Sequence, residues 1–135
     1  MTTTTNSDTL IVDREVAQPL DKVWRALSQS PLIEQWLMKN DFQPVVGHTF
    51  NFTADWGVVE GKVLSVEPNK TLSYTWESLG LESVVTWTLA ATTSGTQISM
   101  KQTGFRPDQQ QAYQGATYGW NQFLGALEQV VAKLD

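Results

Sequence analysis

The C-terminal part of the sequence carries apolar residues at steps of three and four, which is the spacing of one face of an α-helix. This apolar stripe consists of Ala116, Trp120, Phe123, Leu124, Leu127, Val131 and Leu134. Polar residues take the opposite side, so that side should face solvent. A helix from about Pro107 to Leu134 would span roughly 40 Å, at about 1.5 Å per residue. A helix this long with one apolar face requires a large apolar surface to pack on.

The preceding part of the sequence supplies this surface, because hydrophobic and polar residues alternate between Asn40 and Phe105. Alternation with a period of two is typical of strands that bury one face of a sheet. Turn residues, as in Glu67–Lys70 and Thr93–Gly95, separate the alternating stretches. This pattern predicts an α+β fold in which the long helix covers a concave antiparallel sheet of about six strands.

A first strand and two short helices are predicted ahead of these alternating stretches. Leu10–Ala17 alternates like a strand, and short helices are predicted to begin near Pro19 and at Ser30-Pro31. Residues 1–8 are rich in Thr, Asn and Ser without hydrophobic periodicity, so a mobile tail is predicted there. Residues 9–135 have the length of one ordinary domain and are predicted to form a single domain.

The composition excludes several classes of function. The sequence contains no Cys and one His, His48, which excludes disulfides, thiolate metal sites and Cys nucleophiles. The net charge of −5 argues against a nucleic-acid partner, because such a protein needs a basic surface for the phosphates. No segment approaches the ~20 apolar residues of a membrane span, and the N-terminus lacks an apolar signal core. We therefore predict a cytoplasmic protein without a membrane span.

The spacing of acidic residues does not indicate a catalytic site. Four carboxylates in the predicted sheet could pair as acid and base: Asp55, Glu60, Glu77 and Glu82. However, no spacing singles out a pair, and alternation places Glu77 on the solvent side of its strand. We predict no catalytic residue, no metal ion and no cofactor. For Arg14 on the first strand two interpretations stay open, a side chain that reaches solvent or a charge at a pocket.

Six tryptophans are an unusual number for a chain of 135 residues. Each ring adds a large apolar surface and an N–H group that requires a partner when buried. Such rings either fill a core or line a ligand cavity between sheet and helix. The residues predicted to line this cavity are Trp36, Phe52, Trp56, Tyr74, Trp76, Trp87, Met100, Gln102, Trp120 and Leu124. The tryptophan N–H groups, the Tyr74 hydroxyl and the Gln102 amide are its predicted hydrogen-bonding groups.

Glycines interrupt the predicted C-terminal helix at Gly115, Gly119 and Gly125. Each glycine destabilises a helix by about 0.5–1 kcal/mol relative to Ala, so each calls for an explanation. Close packing of the helix on the sheet or on a neighbour is the favoured interpretation, and local softness of the helix is the alternative. Gly61, inside a long alternating stretch, indicates a bulge or a close approach of another backbone segment.

A combination of motifs extends over nearly the whole chain after Leu10. These motifs are Pro19–Leu27, Gln35-Trp36, Gly61–Trp76, Val84–Leu89, Gly95-Thr96, Thr103–Phe105 and Gly119-Trp120. Together they resemble the activator of Hsp90 ATPase homologue family, which is part of the START-like, or SRPBCC, superfamily. The resemblance implies a helix-grip fold of the Bet v type, in which a curved antiparallel sheet wraps around a long C-terminal helix.

The resemblance also implies a cavity for hydrophobic ligands, because the superfamily includes lipid carriers, polyketide cyclases and proteins that sequester small molecules. We therefore expect a protein, either a monomer or a homodimer, that binds a hydrophobic, aromatic or lipid-like small molecule between sheet and helix. Two alternatives stay open. One is an enzyme of the cyclase or hydrolase type acting in the same cavity, and the other is a chaperone-cofactor-like module that binds a partner protein.

Two departures from the family pattern weigh against these alternatives. The chaperone activators carry a separate N-terminal domain with its own motif, for which this sequence has no room. Gln102 stands where many relatives have a His, which removes one candidate acid or base from the pocket. Both departures favour ligand binding over chaperone activation and over catalysis.

Overall fold

The computed structural model describes residues 9–78 and 80–134, which form one antiparallel sheet and three helices. The strands are β1 (Thr9–Val16), β2 (Lys39–Asn40), β3 (Thr49–Ala54), β4 (Gly57–Glu67), β5 (Thr71–Ser78), β6 (Leu81–Ala91) and β7 (Thr96–Thr103). The helices are α1 (Leu20–Ser28), α2 (Ser30–Trp36) and α3 (Gln110–Ala132). The tail predicted for residues 1–8 lies outside the described residues.

The sheet has the order β1-β7-β6-β5-β4-β3-β2, and all neighbouring strands are antiparallel. The curved antiparallel sheet, the C-terminal helix and the two short helices after β1 confirm the predicted helix-grip fold. The described sheet has seven strands where about six were predicted. The additional strand is β2, whose two residues pair with Thr53 and Phe52 and are too few to show an alternating pattern.

Alternation along each strand decides which residues enter the core. On β5, Leu72, Tyr74 and Trp76 are buried, whereas Glu77 is exposed. At Gly61 in β4, a Cβ atom would lie 2.5 Å from the Thr75 carbonyl oxygen and would also meet the Phe50 ring. The close backbone approach predicted at Gly61 is therefore confirmed, because no larger residue fits between these neighbours.

The C-terminal helix begins at Gln110 rather than at the predicted Pro107. The Gln109 backbone N–H donates to the Arg106 carbonyl oxygen at 2.9 Å, and the Arg106 N–H donates to Gln109 Oε1 at 2.9 Å. These two bonds close a turn over residues 106–109. Pro107 lies in this turn, so its fixed φ serves the turn and not the first helical positions.

The two halves of α3 have different surroundings. Its buried residues all belong to the second half: Trp120, Leu124, Leu127, Val130 and Val131. No residue of the first half, from Gln110 to Gly119, is buried. The second half therefore carries the fully buried contacts of α3, while the first half is at most partly buried, through residues such as Tyr113 and Ala116.

Polar contacts fasten α3 to β1 and α1 along its length. Tyr113 Oη donates to the Thr9 carbonyl oxygen at 3.2 Å, and Lys22 Nζ donates to the Leu134 carbonyl oxygen at 2.9 Å. Arg14 Nη1 lies 2.7 Å from Glu128 Oε1 and forms an ion pair. Arg14 thus joins β1 to α3 through a paired charge, and it is not among the residues that line the cavity described below. No helix in the described residues has the length and apolar character of a membrane-spanning segment.

Candidate ligand-binding site

A cavity of about 540 Å³ lies between the first half of α3 and the sheet. Cavities of roughly 300–1,000 Å³ are typical of small-molecule sites. The lining residues are Met38, Trp56, Trp76, Ser78, Leu81, Gln102, Asp108, Gln109, Gln111, Ala112, Gly115, Ala116, Gly119, Trp120 and Phe123. The fully buried residues of α3 begin only at Trp120, and most of the helix residues that border the cavity come before it.

The sheet side of the cavity is built from inward-facing residues of three strands. Trp76 and Ser78 follow the alternation of β5, while Leu81 opens β6 and Gln102 faces inward near the end of β7. Trp56 lies in the tight turn between β3 and β4 and is 54% exposed. Its indole therefore borders the cavity at the rim, where a bound molecule would cover part of it.

The helix side of the cavity is a strip of small residues at steps of three and four along α3. This small-residue strip consists of Ala112, Gly115, Ala116 and Gly119. A Cβ atom added at Gly115 would meet nothing within 4 Å, and one at Gly119 would meet only the Phe123 ring at 4.0 Å. Neither glycine is therefore packed closely against the sheet. They border empty space and keep the surface of the helix flat.

The structure brings four of the ten predicted site residues to the cavity and leaves six in the core beside it. The four are Trp56, Trp76, Gln102 and Trp120. The six that do not line the cavity are Trp36, Phe52, Tyr74, Trp87, Met100 and Leu124, all of them buried. All six belong to the hydrophobic core cluster. Whether any of the ten contacts a ligand stays a prediction.

The aromatic residues of the core support the cavity wall from behind. The Trp76 and Trp120 ring centroids are 5.1 Å apart, and Trp87 packs edge-on to Trp120 at 5.6 Å. Phe52 lies 5.5 Å from Trp76, and Trp36 lies 5.8 Å from Trp87. Contacts of this kind each contribute about 0.5–1.5 kcal/mol beyond the area that they bury. The two wall tryptophans are therefore held in place before any ligand arrives.

A chain of hydrogen bonds runs beneath the cavity through the buried Gln102. Trp120 Nε1 donates to Gln102 Oε1 at 2.8 Å, and Gln102 Nε2 donates to Ser83 Oγ at 2.9 Å. Ser83 Oγ in turn donates to the Trp76 carbonyl oxygen at 2.8 Å. Gln102 thereby ties the helix α3 to strands β5 and β6 through buried hydrogen bonds.

Other predicted hydrogen-bonding groups are also engaged within the protein. Trp36 Nε1 donates to the Ala26 carbonyl oxygen at 2.7 Å, and Trp87 Nε1 donates to Tyr74 Oη at 2.9 Å. Burial raises the pKa of the Tyr74 hydroxyl despite the bond from Trp87, so this group stays neutral. None of these three residues lines the cavity, and their role as ligand-binding groups stays a prediction. Each buried N–H needed a partner, and the fold supplies one internally.

The interior of the cavity carries no charge. Among the lining residues that the structure describes, Asp108 alone is ionisable. Its side chain is 76% exposed and lies 3.4 Å from Arg106 Nε, so it belongs to the rim. No three His, Cys, Asp or Glu side chains in residues 9–78 and 80–134 are grouped in a way that could hold a metal ion. The site therefore suits an uncharged molecule, because an unpaired charge would lose its hydration inside.

Sequence reasoning missed Ser78 and the small-residue strip. The Ser78 hydroxyl is buried, and it is without a hydrogen-bond partner in the part of the chain that the structure describes. Its position two residues after Trp76 would have placed it on the same inward face. The strip could have been recognised from the helical spacing of its members, which share the apolar face with Trp120 and Phe123.

Comparison with protein families gives a match to the description "Activator of Hsp90 ATPase homolog 1-like protein" over residues 17–132. The chain belongs to this family. The match confirms the resemblance that the sequence motifs indicate, and it covers both short helices, the strands β2–β7 and all of α3. Among curated proteins, no sequence matches this family member significantly.

Solved structures similar to this family member share its fold across nearly the whole chain. Protein MLL2253 from Mesorhizobium loti is 55% identical, with a TM-score of 0.91 over 94% of this chain and 98% of that one. DynU16, described as a putative protein in the dynemicin biosynthetic locus, is 24% identical, with a TM-score of 0.85 over 93% of this chain and 48% of that one. An Aha1 dimer from Colwellia psychrerythraea is 17% identical, with a TM-score of 0.83 over 91% and 95% of the two chains. The similarity to DynU16 and to the Aha1 dimer shows a shared fold and nothing further.

Proposed function

We propose that this protein binds an uncharged small molecule with an aromatic or otherwise apolar body in the cavity beneath the first half of α3. The observation that carries the proposal is the cavity of about 540 Å³, whose lining combines three tryptophans and Phe123 with a flat strip of small residues. Aromatic walls give a ligand a large apolar contact, and the few polar groups among them fix its orientation. Membership in the family is in keeping with ligand binding in general.

The uncharged interior favours binding over the cyclase or hydrolase alternative. General acid–base catalysis requires an ionisable group within hydrogen-bonding reach of the reacting atoms. Among the described lining residues only Asp108 is ionisable, and it is an exposed rim residue paired with Arg106. Gln102, the deepest amide of the site, neither gains nor loses a proton and is engaged with Trp120 and Ser83. No second function is proposed.

A free monomer or a homodimer is compatible with this proposal, because the cavity is bordered by residues of one chain. We also expect the protein to act in the cytoplasm, a prediction that rests on the sequence and that localisation of the tagged protein would check. A chaperone partner stays the less expected alternative, since no feature of the cavity requires a second protein.

Neutral aromatic molecules are expected to bind, and their charged analogues are expected to bind much more weakly. The protein would be titrated with flavonoids, polyketide-like aromatics and fatty acids while tryptophan fluorescence and melting temperature are recorded. A ligand at 100 times its dissociation constant adds about 2.7 kcal/mol to stability, which raises the melting temperature by on the order of 10 °C.

The matched control for this titration is the pair of 2-naphthol and 2-naphthoate. Their rings are the same, but the carboxylate would enter a cavity that offers it no interior countercharge. Binding of 2-naphthol with little binding of 2-naphthoate is the expected result. If no neutral aromatic changes the fluorescence or the melting temperature, the proposed function is wrong.

A further inference from the structure

One hydroxyl at the cavity is left without a partner by the fold. Ser78 Oγ is buried and makes no hydrogen bond within the described part of the chain. Unpaired buried polar atoms are rare, because each gives up its bonds to water without replacement. Ser78 lines the cavity and lies at the end of β5, two residues after Trp76 on the same inward face. Ser78 Oγ is therefore free to hydrogen-bond a bound molecule.

Two neighbouring amide side chains of the lining are already engaged within the fold. The Gln102 amide accepts a bond from Trp120 and donates one to Ser83. The Gln109 side chain accepts from the Arg106 N–H and donates to the Gly80 carbonyl oxygen at 3.2 Å. Among the described lining residues Ser78 carries the only hydroxyl. A ligand could engage this hydroxyl without breaking a hydrogen bond of the fold that the structure describes.

The shape of the cavity adds a second constraint on the ligand. On the helix side, the small-residue strip presents a flat surface without side chains longer than a methyl group. On the sheet side, the Trp76 indole is held by its contacts with Trp120 and Phe52. A flat surface that faces a fixed ring is suited to a planar molecule, whose two faces make contact at once.

We infer that the ligand is a planar aromatic molecule with an oxygen or nitrogen atom at one end, and that the Ser78 hydroxyl hydrogen-bonds this atom. The inference rests on the proposed function and adds the ligand's shape, its polar group and its orientation. Rotation about the Cα–Cβ bond moves the Ser78 hydroxyl between staggered rotamers. A change of rotamer can therefore bring the unpaired hydroxyl within hydrogen-bonding distance of the ligand. Ser78 pairs with Leu81 across the β5–β6 turn, so the polar end of the ligand lies at that turn.

The test compares 2-naphthol with 2-methylnaphthalene, which has nearly the same shape but no hydrogen-bonding group. Ser78→Ala is expected to weaken the binding of 2-naphthol by about fivefold, within the roughly two- to tenfold range of a neutral hydrogen bond. The binding of 2-methylnaphthalene should change by less than about twofold. Ser78→Thr keeps a hydroxyl at the position and should retain the preference of the wild-type protein for 2-naphthol.

A stability measurement accompanies the titrations. Because Ser78 Oγ has no partner in the described residues, Ser78→Ala should melt at the same temperature as the wild-type protein or higher. Equal weakening of both ligands by Ser78→Ala, an unchanged affinity for 2-naphthol, or a clearly lower melting temperature would each overturn the inference. If neither naphthalene binds the wild-type protein, the proposed function fails and this inference falls with it.

Discussion

Trp120→Ala is expected to lower the free energy of unfolding by about 3–5 kcal/mol, the range for truncating a buried Trp. Trp120 is 3% exposed and is the first buried residue of α3. Its ring packs against Trp76, Trp87 and Phe123, and its N–H bonds Gln102. The substitution removes these contacts and leaves Gln102 Oε1 without its donor, so lost packing and an unpaired buried acceptor act together.

Urea denaturation would measure this change, with Tyr118→Ala as the matched control. Tyr118 lies two residues earlier on the same helix and is 70% exposed, so its truncation should change stability by no more than about 0.5 kcal/mol. The loss for Trp120→Ala is a large share of the ~5–15 kcal/mol that stabilises a domain. Equal losses for the two variants would show that α3 packs on the sheet through a different face.

Gly119→Leu is expected to weaken ligand binding by about tenfold to a hundredfold without lowering stability. Gly119 borders the cavity, and a Cβ atom there would meet only the Phe123 ring at 4.0 Å. The Leu side chain would therefore extend into the space that the ligand occupies. Overfilling a packed space typically costs about 1–3 kcal/mol, which sets the expected loss of affinity. The helix itself should gain up to about 1 kcal/mol, since Gly is a poor helix former.

Gly125→Leu is the control for this experiment. Gly125 also lies within α3, and a Cβ atom there would meet nothing within 4 Å, but it does not line the cavity. Its substitution should give a comparable gain in helix propensity and leave affinity within about twofold. Unchanged binding by Gly119→Leu would mean that the ligand does not lie against the small-residue strip. Equal losses in both variants would point to a general change in α3.

The fold was predictable because its main patterns are periodic and local. The stripe that contains Trp120 and Leu127 required a helix with one buried face, and the alternation around Tyr74 and Trp76 required a half-buried sheet. The parts of the fold that the sequence did not predict are short. The strand β2 has only two residues, and the first turn of the predicted helix is a separate turn closed by the Gln109 side chain.

The lining of the cavity was harder to predict, because periodicity tells which face a residue is on but not how far the opposite layer lies. Leu124 and Trp120 share the apolar face of α3, yet only Trp120 borders the cavity. Tyr74 and Trp76 share the inward face of β5, yet Tyr74 is enclosed by Phe42, Phe50 and Phe52. The cavity borders only part of each of these faces, and no local pattern encodes where it begins and ends.

The glycines of α3 show the same limit of sequence reasoning. Gly115 and Gly119 resemble close-packing residues on a helical wheel, because small residues are commonly found where two elements approach closely. In the structure they border open space instead. A glycine on a helix face is thus compatible both with a close contact and with the wall of a cavity. Only the position of the sheet distinguishes these two situations.

The most direct measurement of ligand binding in this cavity is a nitrogen-15 NMR titration of the six tryptophan indole N–H signals with 2-naphthol. Substituting each Trp by Phe in turn would assign the signals. We expect the signals of Trp56, Trp76 and Trp120, which line the cavity, to shift and saturate together. The signals of Trp24 and Trp36, which do not line it, should stay in place. Shifts that are largest at Trp24 and Trp36, or no shift of any indole signal at saturating probe, would contradict the account.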